Sequence, residues 1–156
     1  MKHLFTIIAL FTITASCNNK SQGDAETPTI PLPGTWKLLT GTVIEKGDTT
    51  ITDYTKGKSF IKIINSSHFA FLLHDLGKGK DSSSAEFSAG GGTYSLNGNN
   101  YTEHLEYCNA REWEDHDFPF TVTIHGDTLI QSGIEKIEAQ GVDRINTEKY
   151  IRIKKQ

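Results

Sequence analysis

The sequence predicts an all-β fold: an antiparallel, up-and-down β-barrel of eight or nine strands with at most one short helix. Three observations carry this expectation. From Gly34 onward, short runs rich in Thr, Ile, Val, Phe and Tyr recur at intervals of roughly ten residues, separated by turn-forming residues. Two-residue turn signals at Gly47-Asp48, Asn65-Ser66, Asn97-Gly98 and Gly126-Asp127 keep most connections short, which makes sequential runs antiparallel neighbours. No long helical pattern is visible, and 156 residues allow one domain around one core.

The first residues stand apart from that pattern. Lys2 supplies a charge, Leu4 to Thr14 form an apolar run too short to span a bilayer as a helix, and Ala15-Ser16 are small residues ahead of Cys17. Residues 1–16 therefore read as a signal peptide. Thr14-Ala15-Ser16-Cys17 resembles the lipobox of bacterial lipoproteins, with Thr14 where that pattern has an aliphatic residue. The resemblance implies acylation of Cys17, attachment to a membrane, and a place in the bacterial cell envelope after export across the inner membrane. Stable anchoring needs more than one acyl chain, and bacterial lipoproteins carry two or three. Loss of residues 1–16, whose only charge is Lys2, takes the formal charge from −3 to −4. Residues 17–33 are polar and end in three closely spaced prolines, so they read as a flexible tether. The folded domain is expected over 34–156.

Strands are expected at 34–46, 49–54, 58–65, 67–74, 86–96, 99–108, 118–125, 127–133 and 144–154. Period-two alternation places Trp36, Leu38, Thr40, Thr42 and Ile44 on one face of the first, and Phe118, Phe120, Val122 and Ile124 on one face of the seventh, paired with Leu129 and Gln131. The third and fourth are apolar on both faces, from Phe60 to Ile64 and from Phe69 to Leu73, so their inner sets stay open. Residues 74–85 read as a loop rich in Gly, Lys and Ser, and 134–143 as the one place for a helical turn, ended by Gly141.

The stretch from Ser88 to Cys108 is the most informative. With Asn97-Gly98 as the loop, Tyr94 faces Tyr101 and Gly92 faces Glu103, and the inward face carries Tyr94, Leu96, Tyr101, Glu103, Leu105 and Tyr107. Glu103 is the single carboxylate on that face. A buried carboxylate needs partners, and Tyr94, Tyr101, Tyr107, Gln131 or an arginine could supply them. Glu103, Tyr94, Tyr101, Tyr107 and Gln131 are therefore the candidate ligand-binding residues: a polar anchor in an apolar cavity. The alternative is a hydrogen-bond network that fills the barrel, or a Glu103 at the rim.

Gly34-Thr35-Trp36 at the start of the first strand, with Tyr150-Ile151-Arg152 in the last, resembles the lipocalin-like calycin barrels, and in particular the short domains of that type on bacterial surface lipoproteins. The resemblance implies that Trp36 closes the barrel floor and that Arg152 stacks on it and bonds backbone carbonyls, as a structural pair apart from the ligand site.

Other chemistry finds little support. Lys154-Lys155 is the only basic cluster, which argues against nucleic acid. His68, His74, His104, His116 and His125 lack metal-ligand spacing, although His104 and Glu106 lie two apart, and 112–117 lacks the ligand spacing of a calcium loop. Cys108 has carboxylates nearby rather than a base and reads as a quiet thiol. No serine elbow, dinucleotide fingerprint or catalytic carboxylate pair occurs, so neither catalytic residues nor a metal or other cofactor are assigned, and an enzyme is not expected. The expectation is a lipid-anchored barrel that binds a small, partly apolar ligand. The alternative is an interaction or structural module that meets a protein partner through loops 74–85 and 109–117.

Overall fold

The computed structural model describes residues 30–154. The expected signal peptide, Cys17 and most of the expected tether lie outside the described residues. Among the described residues the strands are β1 (Gly34–Glu45), β2 (Asp48–Asp53), β3 (Lys58–Ile64), β4 (His68–Asp75), β5 (Phe87–Asn97), β6 (Asn100–Cys108), β7 (His116–His125), β8 (Thr128–Ile137) and β9 (Val142–Arg152). Neighbours are antiparallel, and β1–β9 pairing closes β1 and β3 through β9 into an eight-stranded barrel. β2 is the extra strand. β1 pairs with β3 only over Gly34–Lys37, and from Thr40 to Glu45 it pairs with β2 instead. The wall therefore parts between β2 and β3 toward one end.

Local chemistry explains where the strands turn. Lys46 and Gly47 both have positive φ, the requirement of a type I′ loop, so the first hairpin turns one residue earlier than expected. Between β5 and β6 the loop is Gly98-Asn99, not Asn97-Gly98, because only Gly98 takes positive φ and Asn97 pairs with Asn100. The register moves by two, so Tyr94 faces Glu103, Leu96 faces Tyr101 and Gly92 faces Leu105. A shift of two leaves each side chain on its expected face.

Two bulges do change faces. The β1–β9 register slips between Leu38 and Thr40, so Trp36 and Leu38 point inward but Gly41 and Val43 follow them, while Ile44 is exposed. The expected inner face of the first strand thus holds only as far as Leu38. A second slip between Gly91 and Gly92 places Glu106 as the extra residue and turns Tyr107 outward, 67% exposed. The backbone there is tight, since a Cβ on Gly92 would run into the carbonyl of His104. In β3 and β4 the open choice resolves to Phe60, Lys62, Ile64, Phe69, Phe71 and Leu73 inward. The expected helical turn at 134–143 is mostly strand: β8 runs on to Ile137, leaving a 3₁₀ turn at Glu138–Gln140 ended by left-handed Gly141. A second 3₁₀ turn covers Arg111–Trp113.

The core sits at the closed end. Trp36, Leu38, Tyr101, Val122, Leu129 and Tyr150 are all at most 1% exposed. Ile30–Pro33 crosses beneath them, so the packed unit begins ahead of Gly34. Leu32 is fully buried and its carbonyl accepts from Trp36 Nε1 at 2.9 Å. The Arg152 guanidinium lies 3.9 Å over the Trp36 ring and donates to the carbonyls of Pro33 and Pro31. Gly34 is the residue this floor demands, because its φ is +152° and a Cβ would collide with Arg152 Nη1.

Candidate ligand-binding site

Above that floor the barrel holds a cavity of about 360 Å³. Aromatic walls come from Tyr54, Phe60, Phe71, Trp113, Phe118 and Phe120. Phe60 stacks on Phe71, and Tyr54 meets Phe60 edge-on at 5.7 Å. At the mouth, Trp113 packs on Phe118 while Arg144 lies over its ring.

The polar side is a belt across the lumen. Lys62 projects from β3, 3% exposed, and its Nζ donates to Glu103 Oε1 at 2.6 Å and to Gln131 Oε1 at 3.2 Å. Glu148 Oε2 stands 3.9 Å from the same nitrogen and accepts from the Tyr150 hydroxyl at 2.7 Å. Nearer the mouth, Glu135 accepts from Arg144 Nε at 2.6 Å and from Asn146 Nδ2 at 2.8 Å. Strand parity places these groups: Leu129, Gln131, Gly133, Glu135 and Ile137 of β8 face Tyr150, Glu148, Asn146, Arg144 and Val142 of β9.

The electrostatics follow from burial. Desolvation opposes the charge on Lys62, but Glu103 and Glu148 outweigh it and raise its pKa above the ordinary lysine value. Burial pushes the Glu148 carboxyl up, and Lys62 and the Tyr150 hydroxyl offset this only in part. Burial, then the charge of Glu148, holds the Tyr150 hydroxyl protonated. Among the described residues two buried donors lack a hydrogen-bond partner, the Tyr101 hydroxyl at the closed end and the Gln131 amide nitrogen. Gln131 is 1% exposed and lines the cavity, with its oxygen taken by Lys62 and its Nε2 unbonded.

Of the five candidate ligand-binding residues, Glu103 and Gln131 come together around this cavity. Tyr94 does not donate to Glu103: its hydroxyl bonds the carbonyl of Asn65 at 2.7 Å, and its ring packs on Tyr101. Tyr101 belongs to the closed end, fully buried; its hydroxyl makes no well-formed hydrogen bond but lies beside the Glu103 carboxylate, and burial, then the charge of Glu103, holds it protonated. Tyr107 is outside, turned there by the bulge at Glu106. His104 and Glu106 separate as well, the first bonding Asp117 at 2.8 Å and the second the Thr93 hydroxyl at 2.8 Å. Cys108 lines the cavity, partly buried, and its backbone N–H donates to Glu114.

Sequence reasoning missed Lys62, the true partner of Glu103, along with Glu135, Arg144 and Glu148. A signal existed for the first: Lys62 alternates with Phe60 and Ile64, so any register that buries those two buries the lysine between them. The final strand alternates in the same way, with Arg144, Asn146 and Glu148 in phase with Tyr150. Glu135 fell in the stretch expected to be helical. No family model matches this chain, and no curated protein matches it significantly.

Proposed function

We propose that this protein is a lipid-anchored, lipocalin-like barrel of the bacterial cell envelope, held at a membrane through Cys17, which takes a small, partly apolar ligand into its lumen and performs no catalysis. One observation carries the reading: a cavity of about 360 Å³ runs between aromatic walls to a buried Lys62–Glu103–Gln131 belt that leaves the Gln131 amide nitrogen without a partner. Such a volume lies within the range of small-molecule sites, and a few fixed polar groups in an apolar pocket orient a ligand. A barrel filled for stability alone gains nothing from an orphaned buried donor.

The test is native mass spectrometry of the chain from Asn18 to Gln156, then denaturation and identification of anything released. A stoichiometric compound that is lost in Glu103→Gln supports the reading. An empty protein with no thermal shift across a panel of metabolites and lipids refutes it. A second reading, docking of a protein partner, has one observation in its favour: Ile63, Leu72 and Phe87 are exposed together on the outer face of β3 to β5.

A further inference from the structure

The charges that line the lumen do not balance. Glu103 is taken by Lys62 and Glu135 by Arg144, while Glu148 holds only a tyrosine hydroxyl and a lysine 3.9 Å away that is already committed. Near the mouth, Lys58 pairs with Glu86 and Arg111 with Glu114, so neither supplies the missing cation. Three carboxyl groups against two cations leave Glu148 without a cation of its own, in a cavity otherwise walled by aromatic side chains.

Gln131 adds a second requirement. It stands directly opposite Glu148 in the β8–β9 register, and its free Nε2 calls for an acceptor. Resting on the reading of this barrel as a binder, we infer that the cavity selects a small organic ammonium ion with an apolar body and an acceptor oxygen, and that Glu148 is its anionic anchor. The ammonium sits on Glu148, the oxygen accepts from Gln131, and the apolar body lies against Phe60, Phe71 and Phe118. An anion there would have to displace Glu135 from Arg144 or Glu103 from Lys62.

Acid should weaken this binding. The groups facing Glu148 are Lys62 from β3, Tyr101 and Glu103 from β6, Gln131 and Glu135 from β8, Tyr150 on its own strand and Tyr54 after β2. Burial raises the Glu148 carboxyl above 4.5, so it takes up a proton, and releases the cation, before an ordinary glutamate would.

The experiment is calorimetric titration of the chain from Asn18 with three matched probes: phenylalaninol (cationic), 3-phenylpropane-1,2-diol (neutral) and 3-phenyllactate (anionic). Phenylalaninol is expected to bind at least tenfold tighter than the diol at pH 7.5, to lose most of that preference in Glu148→Gln, and to weaken as wild-type protein is acidified toward pH 5. The acid titration needs no variant, so it decides the matter even if Glu148→Gln misfolds. Binding of the diol or the lactate as tight as phenylalaninol overturns the ammonium assignment and leaves the binding reading standing. Failure of all three probes also overturns the assignment, and the mass spectrum decides separately whether the lumen binds anything.

Discussion

Removing Lys62 tests whether the belt holds the barrel together. The ammonium and Glu103 lie 2.6 Å apart with side chains 3% and 8% exposed, so solvent screens them little. At an effective dielectric of about 20 their gross attraction is roughly 6 kcal/mol. Desolvation of both ions offsets much of that in the intact protein, but Lys62→Met spends nothing to rehydrate Glu103 and leaves it buried beside Glu148 with no cation between them. Breaking a buried pair from one side costs about 3–5 kcal/mol, which for a fold of this size lowers Tm by roughly 10–20 °C. Lys62→Met/Glu103→Leu removes both ions and should recover most of the loss. Urea and thermal unfolding of the two single variants and the double variant give the coupling energy directly. A cost below about 1 kcal/mol for Lys62→Met would mean that cavity water screens the pair and that the belt is not structural.

Two further outcomes follow from the same geometry. Because burial raises the Glu148 carboxyl above its unfolded value of 4.5, the native state binds more protons than the unfolded state above that pH, and stability falls as pH rises through the raised pKa. Glu148→Gln keeps an acceptor for Tyr150 without the buried charge, so it should raise Tm by a few degrees at pH 7.5 and by nothing at pH 4, as read by thermal unfolding. A chain begun at Gly34 loses fully buried Leu32 and the carbonyls that accept from Trp36 and Arg152. Relative to the chain from Asn18 it should be less stable by about 3–5 kcal/mol in urea unfolding.

Much of the frame was legible because local chemistry specifies it. Turn residues and alternation located nine strands to within a few residues, since positive φ and period-two burial are properties of short segments. The inward orientation of Glu103 survived an error in the hairpin loop because that error moved the register by two, and a pleated strand repeats every two residues. Tyr107 did not survive, because one extra residue at Glu106 reverses every side chain after it. A bulge carries no reliable composition signal of its own; here it shows only as the close approach of Gly92 to the next strand.

The sequence by itself determined an all-β chain of short antiparallel connections, with Trp36 and Phe118 to Val122 turned inward and a lone carboxylate among apolar neighbours, because propensity, turn chemistry and alternation act over a few residues. Only the tertiary structure decided that Lys62 answers Glu103, that Glu148 is left over, and that the expected start of the domain omits part of its floor. Lys62 and Glu103 are forty-one positions apart and meet because three intervening strand pairings curve the sheet until its inner faces oppose each other. Closure brings those charges together, and no pattern along the chain encodes which of them will be left without a partner.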